Sequence, residues 1–479
     1  MTPGLRPADF KTSERSTALT ALQEELEGIP CTTDPQQLSK LSIDWHTFSP
    51  VLSEKLAGKR ADIVYFPTSE AEVIRIIQAC VRHRIPLTPR GAGTGNYGQA
   101  VPLEGGVVLD ITRMQSILWT KGGIMRVQPG AKLMAMEKEA RKTGWEVRMA
   151  PSTFRTATVG GFVSGGFGGI GSITYGVLRE RGNILGLRVV TMEAEPQILE
   201  LRGEAVHQVS HAWGVNGIIT EMEMPLGMAY PWAECIVVFD DFMQSARFCQ
   251  RLGESDGIVK RMISLHAWPI PSYFVALKPY LPEGSHAALL LIAENSLEPL
   301  ADLVKEWGGQ ITYTKPATVR VGGTTSSTGK GITLMEYGYN HTTLHARTAD
   351  PSLTYIDCLF PADPDLKAME YLYRTLAEEM MIHIEYLRLN GKVTALGGQL
   401  VRYTSEARLR EIMQIHRDQG VHVHDCHDFT LDSLQKKDAS NRNQQLELKK
   451  RTDPLGLLNP GKLKAWMEWQ AQQTGSPSM

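Results

Sequence analysis

Residues 87–114 read LTPRGAGTGNYGQAVPLEGGVVLDITRM, and this stretch decides the fold. Four glycines lie between Arg90 and Gln99. The pattern G-x-G-x-x-G is present, but in dinucleotide sites a helix must follow it to hold the pyrophosphate. Pro102 and the pair Gly105–Gly106 forbid a long helix here. The glycines are therefore interpreted as a turn that leaves a strand and wraps a diphosphate with successive backbone N–H groups.

The composition of this turn suits an anion, although an ordinary glycine-rich surface loop remains an alternative for the stretch alone. Glycine permits positive φ and a close approach of phosphate to the backbone. Arg90, Thr94 and Asn96 add polar donors. A Walker loop is rejected for SSTGKG (326–331), because Thr324 stands where the first glycine is needed and Gly331 replaces Ser or Thr.

A second glycine-rich region covers residues 150–186, APSTFRTATVGGFVSGGFGGIGSITYGVLRERGNILG. Bare loops of this length are uncommon unless they are functional. The hydroxyls of Thr156 and Thr158 can donate to phosphate or ribose. The pairs Gly160–Gly161 and Gly165–Gly166 let backbone pack against an aromatic ring system. Two such regions in one domain predict an extended cofactor.

Together the motifs PRGAGTG and PST-x(5)-VGGFV-x-G, followed by TYG, resemble a known family. They are similar to the FAD-binding domain of the vanillyl-alcohol oxidase / p-cresol methylhydroxylase (PCMH) family of FAD-linked oxidases. GVNGIIT (214–220) resembles the late strand of that family, and DPLGLLNPGK (453–462) resembles its C-terminal signature. The branch with the greatest resemblance contains the glycolate oxidase catalytic subunit and D-lactate dehydrogenase. The resemblance covers about residues 56–228 and 441–470.

The resemblance implies bound FAD and a set of cofactor-binding residues. The first loop is expected to embrace the pyrophosphate, Gly217 and Ile219 to hold the adenine end, and Asn459 to stand near the isoalloxazine. The full implied set is Pro89, Arg90, Gly91, Ala92, Gly93, Thr94, Gly95, Asn96, Tyr97, Pro151, Ser152, Thr153, Thr156, Thr158, Val159, Gly160, Gly161, Ser164, Gly165, Tyr175, Gly176, Gly217, Ile218, Ile219 and Asn459.

The mode of attachment follows from where the sequence departs from the family. Many relatives attach the flavin through a histidine in the first loop, and here Thr94 stands in its place. Some use a cysteine in the later loop, but residues 150–186 contain none. Non-covalent FAD is expected. The segments G-D-G-N-L-H and G-E-H-G of metal-dependent relatives are also missing, so no metal is predicted.

Composition sets the class of protein. The 479 residues are too many for one ordinary core, and 42% hydrophobic with 21% charged residues is typical of a soluble globular chain. A net charge of −2 gives no general attraction to nucleic acid or to an anionic membrane. The six cysteines form no C-x-x-C pair, and neither a signal peptide nor an apolar run long enough for a bilayer is visible. A cytoplasmic enzyme, possible as a homo-oligomer, is the expectation.

The expected fold class is α+β, with a PCMH-type two-subdomain FAD-binding domain and a separate α+β cap (substrate) domain. The expected boundaries are 1–55 for a helical lead-in, 56–228 for the FAD-binding domain, 229–440 for the cap, 441–470 for a return to the FAD domain, and 471–479 for a disordered tail.

Candidate catalytic groups are sought in the cap, which covers the flavin in this family. His341 and His345 are spaced for one helix face, and His422 and His424 for one strand face. His341, His345 and His427 are the candidates for proton transfer. Ordinary polar residues at a domain interface, or metal ligands, are the alternatives.

Two arginines are candidates for binding a substrate carboxylate, since a guanidinium matches a carboxylate bidentately. They are Arg388 and Arg402, and a surface role is the alternative for each. The expected activity is hydride transfer to FAD from a small hydroxylated substrate, with a 2-hydroxy acid such as glycolate or D-lactate preferred. An alcohol, sugar or phenol oxidase and a non-catalytic flavin-binding subunit are the alternatives. The electron acceptor (oxygen, a quinone or a partner redox subunit) is left open.

Overall fold

The computed structural model of the protein describes residues 12–316, 333–431 and 439–474. Three predictions fall partly or wholly outside these ranges: the rejected SSTGKG loop, the first eleven residues of the lead-in, and residues 475–479 of the tail. No helix within the described ranges is long and apolar enough to cross a bilayer.

The first sheet is small and mostly parallel. Its elements in chain order are α1 (Thr12–Glu25), β1 (Cys31–Thr32), α2 (Pro35–Leu41), α3 (Pro50–Lys55), β2 (Ile63–Tyr65), α4 (Glu70–His83), β3 (Leu87–Arg90) and β4 (Val107–Asp110). The strand order is β1-β2-β4-β3, with β2 and β3 parallel to β4. The Ser69 side chain caps α4, as its sequence predicts. The lead-in is not purely helical, because β1 pairs with β2.

The second sheet is antiparallel, and the second glycine-rich region connects two of its strands, β7 (Trp145–Val147) and β8 (Gly186–Val190). Its elements are β5 (Ile117–Lys121), β6 (Ile124–Val127), α5 (Leu133–Arg141), β7 (Trp145–Val147), α6 (Val159–Gly165), α7 (Ser172–Tyr175), β8 (Gly186–Val190), β9 (Ile198–Arg202) and β10 (Ile218–Met228). The order is β5-β6-β10-β8-β9, and β7 also pairs with β10. The segment predicted as the late strand (214–220) enters the long central strand β10 only at Ile218.

The third sheet is antiparallel and forms the region expected to be the cap. Its elements are β11 (Trp232–Phe239), α8 (Phe242–Glu254), β12 (Lys260–His266), β13 (His286–Ala293), α9 (Leu297–Glu306), β14 (Gln310–Lys315), α10 (Asn340–Ala349), β15 (Leu353–Leu359), α11 (Lys367–Thr375), β16 (Met380–Met381), β17 (His383–Leu389), β18 (Lys392–Arg402), α12 (Glu406–Asp418) and β19 (His422–His424). The order is β14-β11-β13-β12-β17-β18-β15-β19, with β16 beside β18.

Both faces of the third sheet are buried, which explains the unbroken apolar strands. In β13, Leu290 and Ile292 enter one core, while Leu289 and Leu291 enter another on the opposite face. Alternate residues of a strand point to opposite faces, so a sheet covered on both sides needs apolar residues at every position. The sheet is therefore a rigid wall for whatever lies against it.

After the third sheet the chain returns to the first. The last helices are α13 (Ala439–Thr452) and α14 (Lys464–Thr474). Between them Leu457 O accepts a bond from Leu87 N–H, and Leu87 O accepts one from Asn459 N–H. The helix α14 extends to Thr474, into the segment expected to be disordered. The return segment thus lies beside β3, directly behind the first glycine loop.

Candidate functional site

The first glycine loop leaves β3 at Arg90 without forming a helix before β4. Gly93 and Gly98 have φ of +67° and +74°, a conformation that side chains disfavour. Arg90 is buried and donates from Nη1 to the Ile43 carbonyl at 2.6 Å, while its Nε has no hydrogen-bond partner. Burial lowers the pKa of the Arg90 guanidinium. The loop therefore exposes backbone without side chains, and the buried Arg90 guanidinium lies where the loop begins.

The second glycine region differs from the expected open loop, because it contains the short helix α6. The Thr158 hydroxyl caps this helix by accepting the Gly161 N–H at 3.2 Å, and it is not simply a donor aimed outward. Gly160 lies so close to Pro129 that an added Cβ would be 2.5 Å from the proline Cβ. The glycines thus serve close packing as well as an open cavity wall.

The two loops line one cavity of about 330 Å³. Its size is typical of a ligand site. Of the predicted cofactor residues, those in the lining are Pro89, Arg90, Gly91, Ala92, Gly93, Thr94, Gly95, Asn96, Tyr97, Pro151, Ser152, Thr153, Thr158, Gly160, Gly161, Ser164, Gly165, Gly217, Ile218 and Ile219.

Five predicted cofactor residues are not among the lining residues of the described chain: Thr156, Val159, Tyr175, Gly176 and Asn459. Tyr175 packs against Arg148, whose guanidinium lies 5.1 Å from the ring centroid. Asn459 donates to the Trp213 carbonyl at 2.7 Å and to the Gln99 carbonyl at 3.1 Å. It therefore supports the first loop from behind.

The opposite wall of the cavity comes from the third sheet and from α10. The lining residues there are Tyr339, Asn340, His341, Leu344, Asp357, Cys358, Leu359, Leu396, His422 and His424. Further lining residues that sequence reasoning missed are Asp44, Trp45, Phe48, Arg179, His211 and Trp213. Arg179 falls within the second glycine-rich region but was not singled out there, and the other five belong to no motif that pointed to them. The cavity therefore lies between the glycine loops and the region expected to be the cap.

Two side-chain bonds cross this cavity boundary. The Tyr97 hydroxyl donates to Asp357 Oδ2 at 2.5 Å, and the Asn340 amide donates to Asn96 Oδ1 at 3.0 Å. The Tyr97 ring also lies 5.1 Å from the His424 ring, centroid to centroid. Burial raises the pKa of Asp357 to about 6, although the Tyr97 bond acts in the opposite direction. The first glycine loop is thus joined directly to β15.

The predicted catalytic histidines are separated by the structure. His341 lines the cavity, and burial lowers its pKa to about 4. His345 is one turn further along α10, donates to the Glu336 carbonyl at 3.0 Å and stacks on Tyr337. His427 is buried away from the lining, 2.7 Å from Ser49 Oγ and 3.0 Å from the Tyr355 carbonyl.

The predicted carboxylate-binding arginines both lie outside the cavity lining. Arg388 donates from Nε to the Ile173 carbonyl at 3.1 Å and pairs with Asp256. Arg402 is about half exposed, with Asp350 as a distant partner at 3.9 Å. Both residues lie on strands of the third sheet but point elsewhere, so the structure does not bring them to the site.

A buried polar network supports the cavity wall behind Tyr339. Glu385 Oε1 accepts the Tyr339 backbone N–H and the Ser264 hydroxyl, both at 2.6 Å, and lies 2.8 Å from His383 Nε2. Tyr339 has φ of +51°, a strained value for a tyrosine. The Glu385 bond holds this conformation and with it the start of α10, which brings His341 to the cavity.

One end of the cavity is electropositive. Burial lowers the pKa of His211 well below its usual range, and the charges of Arg442 and Arg179 and the nearby His424 lower it further. Burial also lowers the pKa of His424, to about 3. Among the described residues, no group of three or more His, Cys, Asp or Glu side chains is arranged to hold a metal ion.

Comparison with known proteins identifies the part that contains the glycine loops. Residues 61–200 match the model of the FAD binding domain family. This segment is an FAD-binding domain. The glycolate oxidase subunit GlcD of Bacillus subtilis is 32% identical over 171 residues, 33% of this chain and 36% of that protein. The D-lactate dehydrogenase of Anaerostipes hadrus is 31% identical over 171 residues, 35% of each chain. The match thus spans about a third of either curated relative.

Solved structures extend the likeness in fold to almost the whole chain. Alkyldihydroxyacetonephosphate synthase superposes with a TM-score of 0.70 at 17% identity, covering 96% of this chain and 88% of that one. At this identity the likeness shows the fold alone. The α+β fold with a PCMH-type FAD-binding domain, expected from the sequence, is confirmed.

The cavity residues fit FAD. Gly91 and Gly93 leave no room for a side chain, since an added Cβ would strike Thr158 Oγ1 and the Arg90 guanidinium respectively. Two buried donors in the lining, Arg90 Nε and Trp213 Nε1, lack hydrogen-bond partners in the protein. Buried donors are rarely left unpaired in folded proteins. A bound diphosphate and ring system would supply the acceptors that these two groups need.

Proposed function

We propose that the protein is an FAD-dependent oxidoreductase acting on CH–OH groups, with a small 2-hydroxy acid such as glycolate or D-lactate as substrate. One observation carries the proposal: a single cavity joins the FAD-binding loops to polar groups of the third sheet. The names of two relatives, glycolate oxidase subunit and D-lactate dehydrogenase, support the same substrate class.

In this proposal the cofactor and the protein divide the work. Bound FAD supplies the hydride acceptor, which is chemistry that belongs to the cofactor. The glycine loops would hold the FAD, and Arg90 and the backbone N–H groups would supply donors for its phosphates. Residues of α10, β15 and β19 close the opposite side, orient the substrate and exclude water. A group in that wall must accept the proton of the substrate hydroxyl.

The charge around the cavity supports an acidic substrate. Arg179 and His424 line the cavity near His211, and Arg442 donates to the His211 carbonyl at 3.2 Å. An arginine can bind a carboxylate through two hydrogen bonds. Because Arg388 and Arg402 lie outside the cavity lining, Arg179 is the residue proposed to bind the substrate carboxylate.

A second candidate function is oxidation of an alcohol or a phenol. The cavity wall is rich in aromatic and apolar groups, including Trp45, Phe48, Tyr97, Trp213 and Tyr339. Aromatic walls suit a flat apolar substrate. A carboxylate is not required in such a pocket, so the substrate panel below includes both classes.

The domain division is part of the proposal. Residues 56–228 with 441–470 are assigned to FAD, and residues 229–440 to the substrate. All six cysteines are free, which suits a reducing compartment and the expected cytoplasmic location. The electron acceptor is oxygen, a quinone or a partner redox subunit.

The test is the visible spectrum of the purified protein, reconstituted with FAD and mixed without oxygen with 2-hydroxy acids, alcohols and phenols. Bleaching by a 2-hydroxy acid supports the proposal, and bleaching by a phenol or alcohol alone supports the second candidate. A stable yellow protein that nothing bleaches would favour a flavin-binding subunit without turnover. Release of the yellow colour on denaturation tests non-covalent binding.

A further inference from the structure

Tyr97 and Asp357 form a hydrogen-bonded pair on the cavity wall, with the Tyr97 hydroxyl as the proton donor and the Asp357 carboxylate as the acceptor. Both residues line the cavity, and the Tyr97 hydroxyl donates to Asp357 Oδ2 at 2.5 Å. They come from different sheets, Tyr97 from the loop after β3 and Asp357 from the middle of β15. Asp357 also lies opposite His424 in the β15–β19 register. Within the described ranges no arginine or lysine pairs with the Asp357 carboxylate.

We propose that Asp357, acting through the Tyr97 hydroxyl, accepts the proton that leaves the substrate hydroxyl. This inference rests on the proposed function. The substrate O–H bond breaks as its proton passes to the Tyr97 oxygen, and the Tyr97 proton passes to Asp357 Oδ2. The electron pair left on the substrate oxygen forms the C=O bond as the hydride leaves for FAD, the oxidant. Asp357 ends as a neutral carboxyl group.

Base strength favours Asp357 over His341 and His424 of the same cavity. An efficient general base has a pKa near the working pH. The pKa of His341 is lowered to about 4 and that of His424 to about 3, which makes both weak bases. Burial raises the pKa of Asp357 to about 6. It is therefore ionised at neutral pH and still able to hold a proton.

The groups around Asp357 set the pH range. They are Tyr97 from the first loop, His383 from β17, Tyr355 and Cys358 on β15, His424 on β19 and Cys426 just after it. Burial raises the pKa of the tyrosine and cysteine side chains among them, so these stay neutral near pH 7. The base form of Asp357 then disappears as the pH falls through about 6.

The alternative is that the pair merely joins the loop to the third sheet. Asp357→Asn separates the two roles, because the amide oxygen still accepts the Tyr97 hydrogen bond but cannot take a proton. Tyr97→Phe removes the intermediate hydroxyl and serves as a second variant. Asp365→Asn is the matched control, since Asp365 is exposed and pairs with Lys367 on the surface.

The experiment combines three readouts on FAD-reconstituted protein: FAD bound per chain, the anaerobic rate of flavin bleaching against pH, and an infrared titration of carboxyl groups without substrate. Asp357→Asn should bind FAD normally, and both Asp357→Asn and Tyr97→Phe, compared per bound FAD, should bleach about 10²–10⁴-fold more slowly. The wild-type rate should fall below about pH 6, and a carboxyl titrating near pH 6 should be missing in Asp357→Asn. Asp365→Asn should match the wild type in all three.

The outcomes distinguish the inference from the function on which it rests. If the wild type is bleached and Asp357→Asn is bleached equally fast, the inference is overturned and the function stands. If slow bleaching is accompanied by loss of FAD, or no carboxyl titrates near pH 6, Asp357 is structural and the inference is again overturned. If no hydroxylated substrate bleaches the wild type, the proposed function fails and the inference fails with it.

Discussion

Gly160→Ala tests whether the packing of α6 shapes the FAD cavity. The new Cβ would lie 2.5 Å from Pro129 Cβ and 2.9 Å from the Pro129 carbonyl oxygen, where ordinary contact begins at 3.4 Å. The proline ring and backbone cannot rotate away, so α6 must move by about 3.4 − 2.5 = 0.9 Å. Overpacking of this kind costs about 1–3 kcal/mol.

Part of that cost is recovered, because alanine is favoured over glycine in a helix by up to about 1 kcal/mol. The net effect is a loss of up to about 2 kcal/mol in the free energy of unfolding. FAD binding should weaken as well, because the displaced α6 carries the lining residues Gly161 and Ser164. The assay is quenching of FAD fluorescence on titration into apoprotein, with thermal unfolding of the apoprotein alongside. Gly257→Ala is the control, since nothing lies within 4 Å of its added Cβ. Equal FAD affinity and thermal stability in Gly160→Ala and wild type would refute the reasoning.

Three further changes test other parts of the structure. Burial lowers the pKa of Lys462 to about 7, so above that pH the unfolded chain binds more protons than the folded protein. The free energy of unfolding should therefore rise with pH from about 7 towards the usual lysine pKa. Lys462→Met should reduce this rise, measured by urea unfolding at pH 7 and 9, and an unchanged rise would contradict the lowered pKa of Lys462. His427→Ala should lower the free energy of unfolding by about 1–3 kcal/mol, because it removes the buried hydrogen bonds to Ser49 Oγ and to the Tyr355 carbonyl. The bleaching rate per bound FAD should not change, and a slower rate would show that His427 acts in the reaction. Arg388→Ala should leave the KM for a 2-hydroxy acid within about twofold, whereas Arg179→Ala should raise that KM about tenfold or more. A larger rise in KM for Arg388→Ala than for Arg179→Ala would overturn the proposed binding mode.

The glycine loops could be predicted from the sequence because their signal is local. A strand leads directly into glycines that can adopt positive φ, and Pro102 and a glycine pair follow. This pattern allows few backbone conformations other than a non-helical turn. The spacing of His341 and His345 would place them on one face if the segment were helical, and that of His422 and His424 on one face if it were extended; they lie in α10 and β19 respectively.

The contacts between distant segments could not be predicted in this way. Asp357 stands alone in an ordinary strand, and only the fold places it beside Tyr97, 260 residues away. Arg388 illustrates the opposite error: its strand lies in the expected region, but the sequence does not reveal that the side chain turns towards Ile173. The second loop was expected to be bare, yet a threonine cap and tight glycine packing were enough to form α6.

The return of the chain to β3 has a consequence for synthesis. Asn459 donates to the carbonyl of Gln99 across a separation of 360 residues, so the back of the first loop is supported only late in translation. At about 5–20 residues per second, a ribosome needs roughly 20 to 70 s to cover that distance. During this interval the nascent FAD-binding segment lacks the hydrogen bond from Asn459, while the third sheet is synthesised and can fold before that bond forms. Capture of FAD is therefore expected to follow synthesis of the segment around Asn459.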